Sequence, residues 1–180
     1  MTNTRDKVNE TKHFFEEMKR ISPQTDTFRY TYTAFLAALR SITQIMQKEF
    51  SGADGFSAWY ETKQKEMGEN SVLKYLHKQR SLTYHERPAI IYPIGVTKQI
   101  AQNNQISYML SGTGDTLQRN QTFFQPFPQY ASVIEVKYYF SDFTDSDKDV
   151  ITICQEAVWA LEKIVAECES KFHFPSSEFQ

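Results

Sequence analysis

The stretch FRYTYTAFLAALRSITQIM, Phe28 to Met46, decides how the rest of the chain is read. Within it Phe28, Tyr32, Phe35, Leu39, Ile42 and Met46 recur at intervals of four, three, four, three and four. Residues three and four apart share one face of a helix, so this spacing is the seam of a helix packed lengthwise against another. The helix is expected to begin after Thr25 or Asp26, either of which can cap it, and to supply roughly four turns or more of core.

Working outward, Val8, Phe15, Met18 and part of Phe14 give a helical stripe from about Arg5 to Ile21, which Ser22-Pro23 ends. On the other side SGADGF, Ser51 to Phe56, breaks the seam helix. The segment SAWYETKQKEMG follows as a short helix, with Gly68 expected in a left-handed cap at its end. Asn70 or Ser71 then caps a fourth helix carrying Val72, Leu73 and Leu76, whose length Pro88 limits.

From Ala89 the apolar period changes from 3.6 to 2. AIIYPIGV and QISYML read as short β runs, with Pro93 demoting the first to an edge strand or splitting it. In SVIEVKYYF, Ile134, Val136, Tyr138 and Phe140 alternate with Val133, Glu135, Lys137 and Tyr139, as in a half-buried strand. The segment between, SGTGDTLQRNQTFFQPFPQY, reads as a long connection. A last helix is expected to start near DSDKD, where Ser146 and Asp149 have capping-box spacing, and to run to about Lys171 on a wide apolar face.

The fold class that follows is mainly α: a bundle of four or five helices with a small antiparallel β insertion before the C-terminal helix. A chain of 180 residues suits one domain. It is expected to be helical over about 5–87 and 146–172, with the insertion over about 89–141.

Composition narrows the function. Hydrophobic content of 40% and charged content of 23% are ordinary for a folded protein. A net charge of −2 gives no global attraction to nucleic acid or to an anionic membrane, so a polyanion must be held by a local patch. No segment has the apolar length of a signal peptide core or a membrane span, and the expected location is the cytoplasm. Cys154 and Cys168 stand fourteen residues apart on one expected helix, about 21 Å along it. They cannot bond to each other there, and no Cys and His cluster has zinc spacing.

Three weaker motifs have plainer readings. SGTGD, Ser111 to Asp115, has no helix after it and reads as a turn rather than a phosphate cradle. DSDKD, with Asp145, Asp147 and Asp149, lacks the glycine of a calcium loop, since Val150 occupies that position; an acidic helix N-terminus accounts for it. Trp59, Tyr60, Phe123, Phe124, Phe127 and Tyr130 could stack on bases but are read as core or loop-pinning aromatics.

The stretch LKYLHKQRSLTYHERP, Leu73 to Pro88, is different. Lys74, Lys78, Arg80 and Arg87 against Glu86 leave a local charge of +3, and two of the four histidines, His77 and His85, lie within it. A helix C-terminus favours such residues through its dipole. They also supply groups that can act as acid or base and groups that bind phosphate. Histidine near neutrality can fill either proton-transfer role, and arginine binds phosphate oxygens in a bidentate way. On a regular helix, however, residues five apart point about 140° away from each other. Arg80 and His85 can share one phosphate only if the helix end is distorted or a second copy contributes.

Arg80-Ser81-Leu82-Thr83-Tyr84-His85, behind a helix in an all-α framework, resembles the R-x(4 to 6)-H signature of the HEPN superfamily. The resemblance covers about Arg5 to Arg87 and the last helix. It implies a small helical bundle, often a metal-independent ribonuclease acting as a toxin or defence effector, with the motifs of two copies facing across a homodimer. It further implies Arg80 and His85 as catalytic residues, no cofactor, RNA as substrate and an antitoxin or other regulatory protein as a second partner. Ser81 departs from the Asn, Asp or His common after the arginine. Arg87 stands where one toxin branch carries a modified tyrosine.

The expectation is therefore a homodimeric, metal-independent endoribonuclease. His85 serves as acid or base and Arg80 as phosphate stabiliser, Lys78 and Arg87 position the backbone, and Ser81 and Tyr84 orient or hydrogen-bond. The contrasting expectation is a non-catalytic helical module that binds a nucleotide or a protein partner.

Overall fold

The structure, a computed structural model, describes residues 2–21, 25–100, 106–112, 131–143 and 148–172. The order is four helices, three strands and a final helix: α1 (Asn3–Arg20), α2 (Thr25–Phe50), α3 (Phe56–Glu69), α4 (Ser71–His85), β1 (Ile91–Ile100), β2 (Ile106–Gly112), β3 (Ala131–Phe140) and α5 (Val150–Lys171). The fold is thus mainly helical, with a small antiparallel sheet before the C-terminal helix. The described residues divide into two compact units, a helical one within Met1–Ala89 and Ile151–Gln180 and a β one within Ile90–Val150.

In the helical unit all six residues of the α2 seam are buried, with Tyr32 and Phe35 at 0% exposure. They are joined by Leu36, Ala38 and Phe50 of the same helix, by Val8, Phe15 and Met18 of α1, and by Leu76 of α4. From α5 come Ile153, Cys154, Ala157, Leu161, Val165 and Cys168. The Phe15 and Phe35 rings lie 6.3 Å apart, so the α1 and α2 stripes meet directly. A second aromatic cluster holds α3: Phe56 stands 5.5 Å from both Tyr60 and Phe172, and Trp59 is 5.4 Å from Phe172. Trp59 and Tyr60 are therefore core residues, as their plain reading held, while Phe123, Phe124, Phe127 and Tyr130 lie outside the described residues.

Helix ends are satisfied by side chains near and far. Thr2 caps α1 by accepting from Arg5 N at 3.0 Å. Glu49, from the end of α2, accepts from Asn3 N at 2.9 Å and from Thr4 N at 2.8 Å. A carboxylate at a helix N-terminus both satisfies orphan donors and complements the dipole, so Glu49 ties α1 to α2. Between α2 and α3 the chain turns through Gly55, at φ 75°, a left-handed conformation that glycine adopts without a Cβ clash. Gly68, expected as such a cap, instead lies within α3, which continues to Glu69. Asn70, with extended φ and ψ of −71° and 112°, ends that helix and accepts from Leu73 N at 3.0 Å to start α4. One asparagine thus supplies both boundaries.

Ion pairs lace α5 to the other helices. Arg5 bonds Glu169, Lys12 bonds Glu162, and Glu167 accepts from the Trp59 indole at 2.8 Å and from Lys63 at 2.9 Å. Burial raises the Glu169 carboxyl, but the hydrogen bonds from Arg5 and Thr2 outweigh it and leave the group below the usual carboxylate range. Glu167 is lowered chiefly by the Trp59 N–H and next by Lys63. As pH falls below about 5, the unfolded chain takes up these protons before the folded chain does, so the stability that the two groups contribute is lost. Denaturation at pH 7 and at pH 3.5 should show a smaller loss in the Glu167→Gln/Glu169→Gln variant than in the parent; equal losses would detach these groups from acid sensitivity.

In the β unit the strand order is β2-β1-β3, all antiparallel. β1 pairs with β3 from Ile91↔Phe140 to Ile100↔Ala131, and with β2 from Ile94↔Gly112 to Ile100↔Ile106. β1 is thus the central strand, not the edge strand expected from Pro93. Among the described residues the pairing of β1 with β2 runs from Ile94 onward. Of the alternation expected in β3, Tyr138 and Phe140 are buried and Lys137 and Tyr139 less so, but Val136, expected on the buried face, is also only intermediate. α5 begins at Val150, so Asp149 stands at the helix boundary rather than at the third helical position a capping box requires. Its carboxylate is 3.7 Å from Lys137. Ser146, Asp145 and Asp147 lie outside the described residues, as do Gly114 and Asp115 of the glycine loop.

Candidate functional site

α4 is a regular helix through His85. It closes with Glu86 N donating to Leu82 O at 2.9 Å and Arg87 N to the same oxygen at 3.0 Å, before Pro88 stops helical geometry at Arg87. Val72, Leu76 and Gln79 face the core. Lys74, Lys78, Ser81 and His85, at intervals of four, three and four, form one exposed outer ridge, and Arg87 is exposed beyond it.

Arg80 is not on that ridge. It sits on the flank of α4, half-buried, with its Cζ 4.6 Å from the centroid of the Tyr84 ring. Its Nε is buried and has no hydrogen-bond partner among the described residues. With helical geometry intact, the Arg80 and His85 side chains leave α4 about 140° apart. One copy therefore does not bring them to a common phosphate. Of the expected site residues, Arg80 and Tyr84 are together on the flank, and Lys78, Ser81 and His85 are together on the ridge.

The flank opens on a cleft of about 370 Å³. α2 contributes Leu36, Leu39, Arg40 and Thr43; α3 contributes Tyr60, Gln64, Met67 and Gly68. α4 contributes Leu73, Lys74, Leu76, His77 and Arg80, and α5 contributes Leu161. Arg40, whose Nη1 donates to Thr43 Oγ1 at 3.0 Å, is the residue that sequence reasoning missed. Nothing local marks it, since it follows Leu39 of the seam as any flanking polar residue would.

Unpaired cations cluster on and beside α4, although Lys48, Lys65, Lys163 and Lys171 elsewhere in the unit also have no ion-pair partner among the described residues. Arg5, Lys7, Lys12, Lys19, Arg20, Arg29 and Lys63 each face a carboxylate. Among the described residues, Arg40, Lys74, His77, Lys78, Arg80, His85 and Arg87 have no ion-pair partner. Uncompensated cations on neighbouring surfaces create a positive potential that attracts phosphate or carboxylate groups. Elsewhere the chemistry is quiet. Both cysteines are buried and free, burial pushing the Cys168 thiol up to about 12, far from a reactive thiolate. No group of three or more His, Cys, Asp and Glu among the described residues could hold a metal ion, and no helix among them is long and apolar enough to cross a membrane.

The class that fold and site define is a mainly helical protein with a cluster of unpaired cations on one helix. The family described as Bacteriophage lambda protein ea47 matches residues 2–84, which span α1, α2, α3 and α4 as far as Tyr84. The chain is similar to that family over these residues, which include Arg80 and the seam of α2 and stop before His85. No curated protein and no solved structure matches the chain.

Proposed function

We propose that the chain binds the phosphate backbone of RNA along the outer ridge of α4 and, as a homodimer, cleaves it without a metal ion. The observation that supports this reading is the cluster of unpaired cations on α4, beside which His85 is exposed. Because Arg80 and His85 diverge within one copy, the cleavage site combines the arginine of one copy with the histidine of the other. Lys78 and Arg87 hold the backbone through their charge, Ser81 hydrogen-bonds it, and Tyr84 orients the Arg80 guanidinium through the ring contact. Such an activity suits a toxin or defence effector restrained by a regulatory protein.

RNA binding measured over a range of salt tests the first half. Each phosphate contact on a single strand contributes about 0.7 to the slope of log affinity against log salt. Lys78→Ala and Arg87→Ala should each weaken binding and reduce the slope by about that amount. Unchanged slopes in both variants would remove α4 from the RNA surface. A second reading, a non-catalytic module that binds a nucleotide or protein partner, is favoured by the cleft, which holds Arg80 away from His85. Binding with no cleavage in EDTA across several RNAs would select it.

A further inference from the structure

The cleft beside α4 combines two surfaces that a polymer site does not need together. Its floor is apolar, built from Leu36, Leu39, Tyr60, Met67, Leu73 and Leu161. Its rim carries Arg40, Lys74, His77 and Arg80, and no carboxylate lines it. The Arg80 Nε is a buried donor without a partner among the described residues, and a buried donor left unsatisfied is costly. An oxyanion at the rim would neutralise guanidinium groups from two helices. The apolar floor would take the rest of such a ligand, since covering those side chains removes their surface from water. At about 370 Å³ the cleft is at the small end of the roughly 300–1,000 Å³ typical of small-molecule sites.

We propose that this cleft binds a small amphipathic anion: an apolar body seated on the leucine, methionine and tyrosine floor, with one carboxylate or phosphate head held by Arg40 and Arg80. The site goes beyond the RNA reading and does not depend on it. It shares Arg80 with the proposed cleavage site and Lys74 with the outer ridge, so its occupant would compete with RNA for those groups and couple ligand level to activity.

Gly68 supplies a sharp test. It is a helical residue on the cleft wall, and a Cβ added there meets nothing within 4 Å. Gly68→Leu should therefore add a bulky side chain at the cleft wall without lowering the thermal midpoint, since glycine is the poorer helix former. Isothermal titration of the full chain with octyl phosphate, octanoate, inorganic phosphate and adenosine monophosphate reads the ligand class. Saturable binding of octyl phosphate or octanoate is expected, the tighter of the two identifying the head group. Affinity should fall about tenfold or more in Arg40→Met, in line with the loss of a charge-assisted hydrogen bond. It should be lost in Gly68→Leu and unchanged in Lys78→Ala and His85→Ala, whose effects belong to RNA. Equal binding of inorganic phosphate and octyl phosphate, tighter binding of adenosine monophosphate than of both alkyl probes, parent-like affinity in Gly68→Leu, or no saturable binding of either alkyl probe would each overturn the proposal.

Discussion

Replacing His85 with alanine is expected to slow RNA cleavage in EDTA by roughly 100- to 10,000-fold, the usual contribution of a positioned acid or base. The fold should be untouched, because His85 is exposed at the last position of α4 and makes no described hydrogen bond. Arg80→Ala should slow cleavage comparably through the loss of phosphate stabilisation. The divergence of the two side chains adds a stricter outcome. If each site takes Arg80 from one copy and His85 from the other, a dimer of one Arg80→Ala and one His85→Ala chain has one site with both residues intact and one with neither. Random mixing makes about half of the dimers mixed, and the mixture should recover about a quarter of the parent rate. Measuring that rate after denaturing and refolding the two variants together checks the arrangement. A mixture as inactive as its components would refute a site shared across copies, and undiminished cleavage by His85→Ala alone would remove the histidine from the chemistry.

The largest effect on stability is expected at Phe35. Its side chain is at 0% exposure, at the centre of the α2 seam and 6.3 Å from the Phe15 ring of α1. Phe35→Ala removes buried apolar surface and leaves a cavity that two packed helices cannot fully close, at a cost of about 3–5 kcal/mol. That is a large part of the roughly 5–15 kcal/mol that holds a domain folded. Urea denaturation should show the midpoint falling with little change in slope, as for a loss of packing within an otherwise intact native state. Phe35→Leu, which refills much of the space, should lose clearly less. Tyr30→Ala on the same helix, at 63% exposure, should change stability little. A small loss at Phe35 would mean that the seam does not carry the core.

The same positions show how far the sequence could be read. The Phe28 to Met46 spacing is a local property of one helix, and every member of that seam is buried. The Asn70 cap of α4 and the antiparallel strands before α5 were legible for the same reason, since neighbouring residues carry their signal. Two local rules were overruled. Gly68 stays helical because Asn70, two residues on, provides the extended residue that ends α3. Pro93 sits in a central strand, and among the described residues the pairing of β1 with β2 runs from Ile94 onward.

The motif divides in the same way. Sequence by itself determined that Arg80, His85 and the surrounding cations lie at the end of one helix, because helical period and a proline boundary are set by residues in a row. It also determined that a regular helix would hold Arg80 and His85 apart. Only the tertiary structure decided that α4 stays regular through His85, that Arg80 lines the same cleft as Arg40 of α2, and that apolar side chains from α2, α3 and α5 line it with them. Those facts depend on which faces of four helices pack together, and the balance of packing, charge and burial that selects them is spread over residues far apart in the chain.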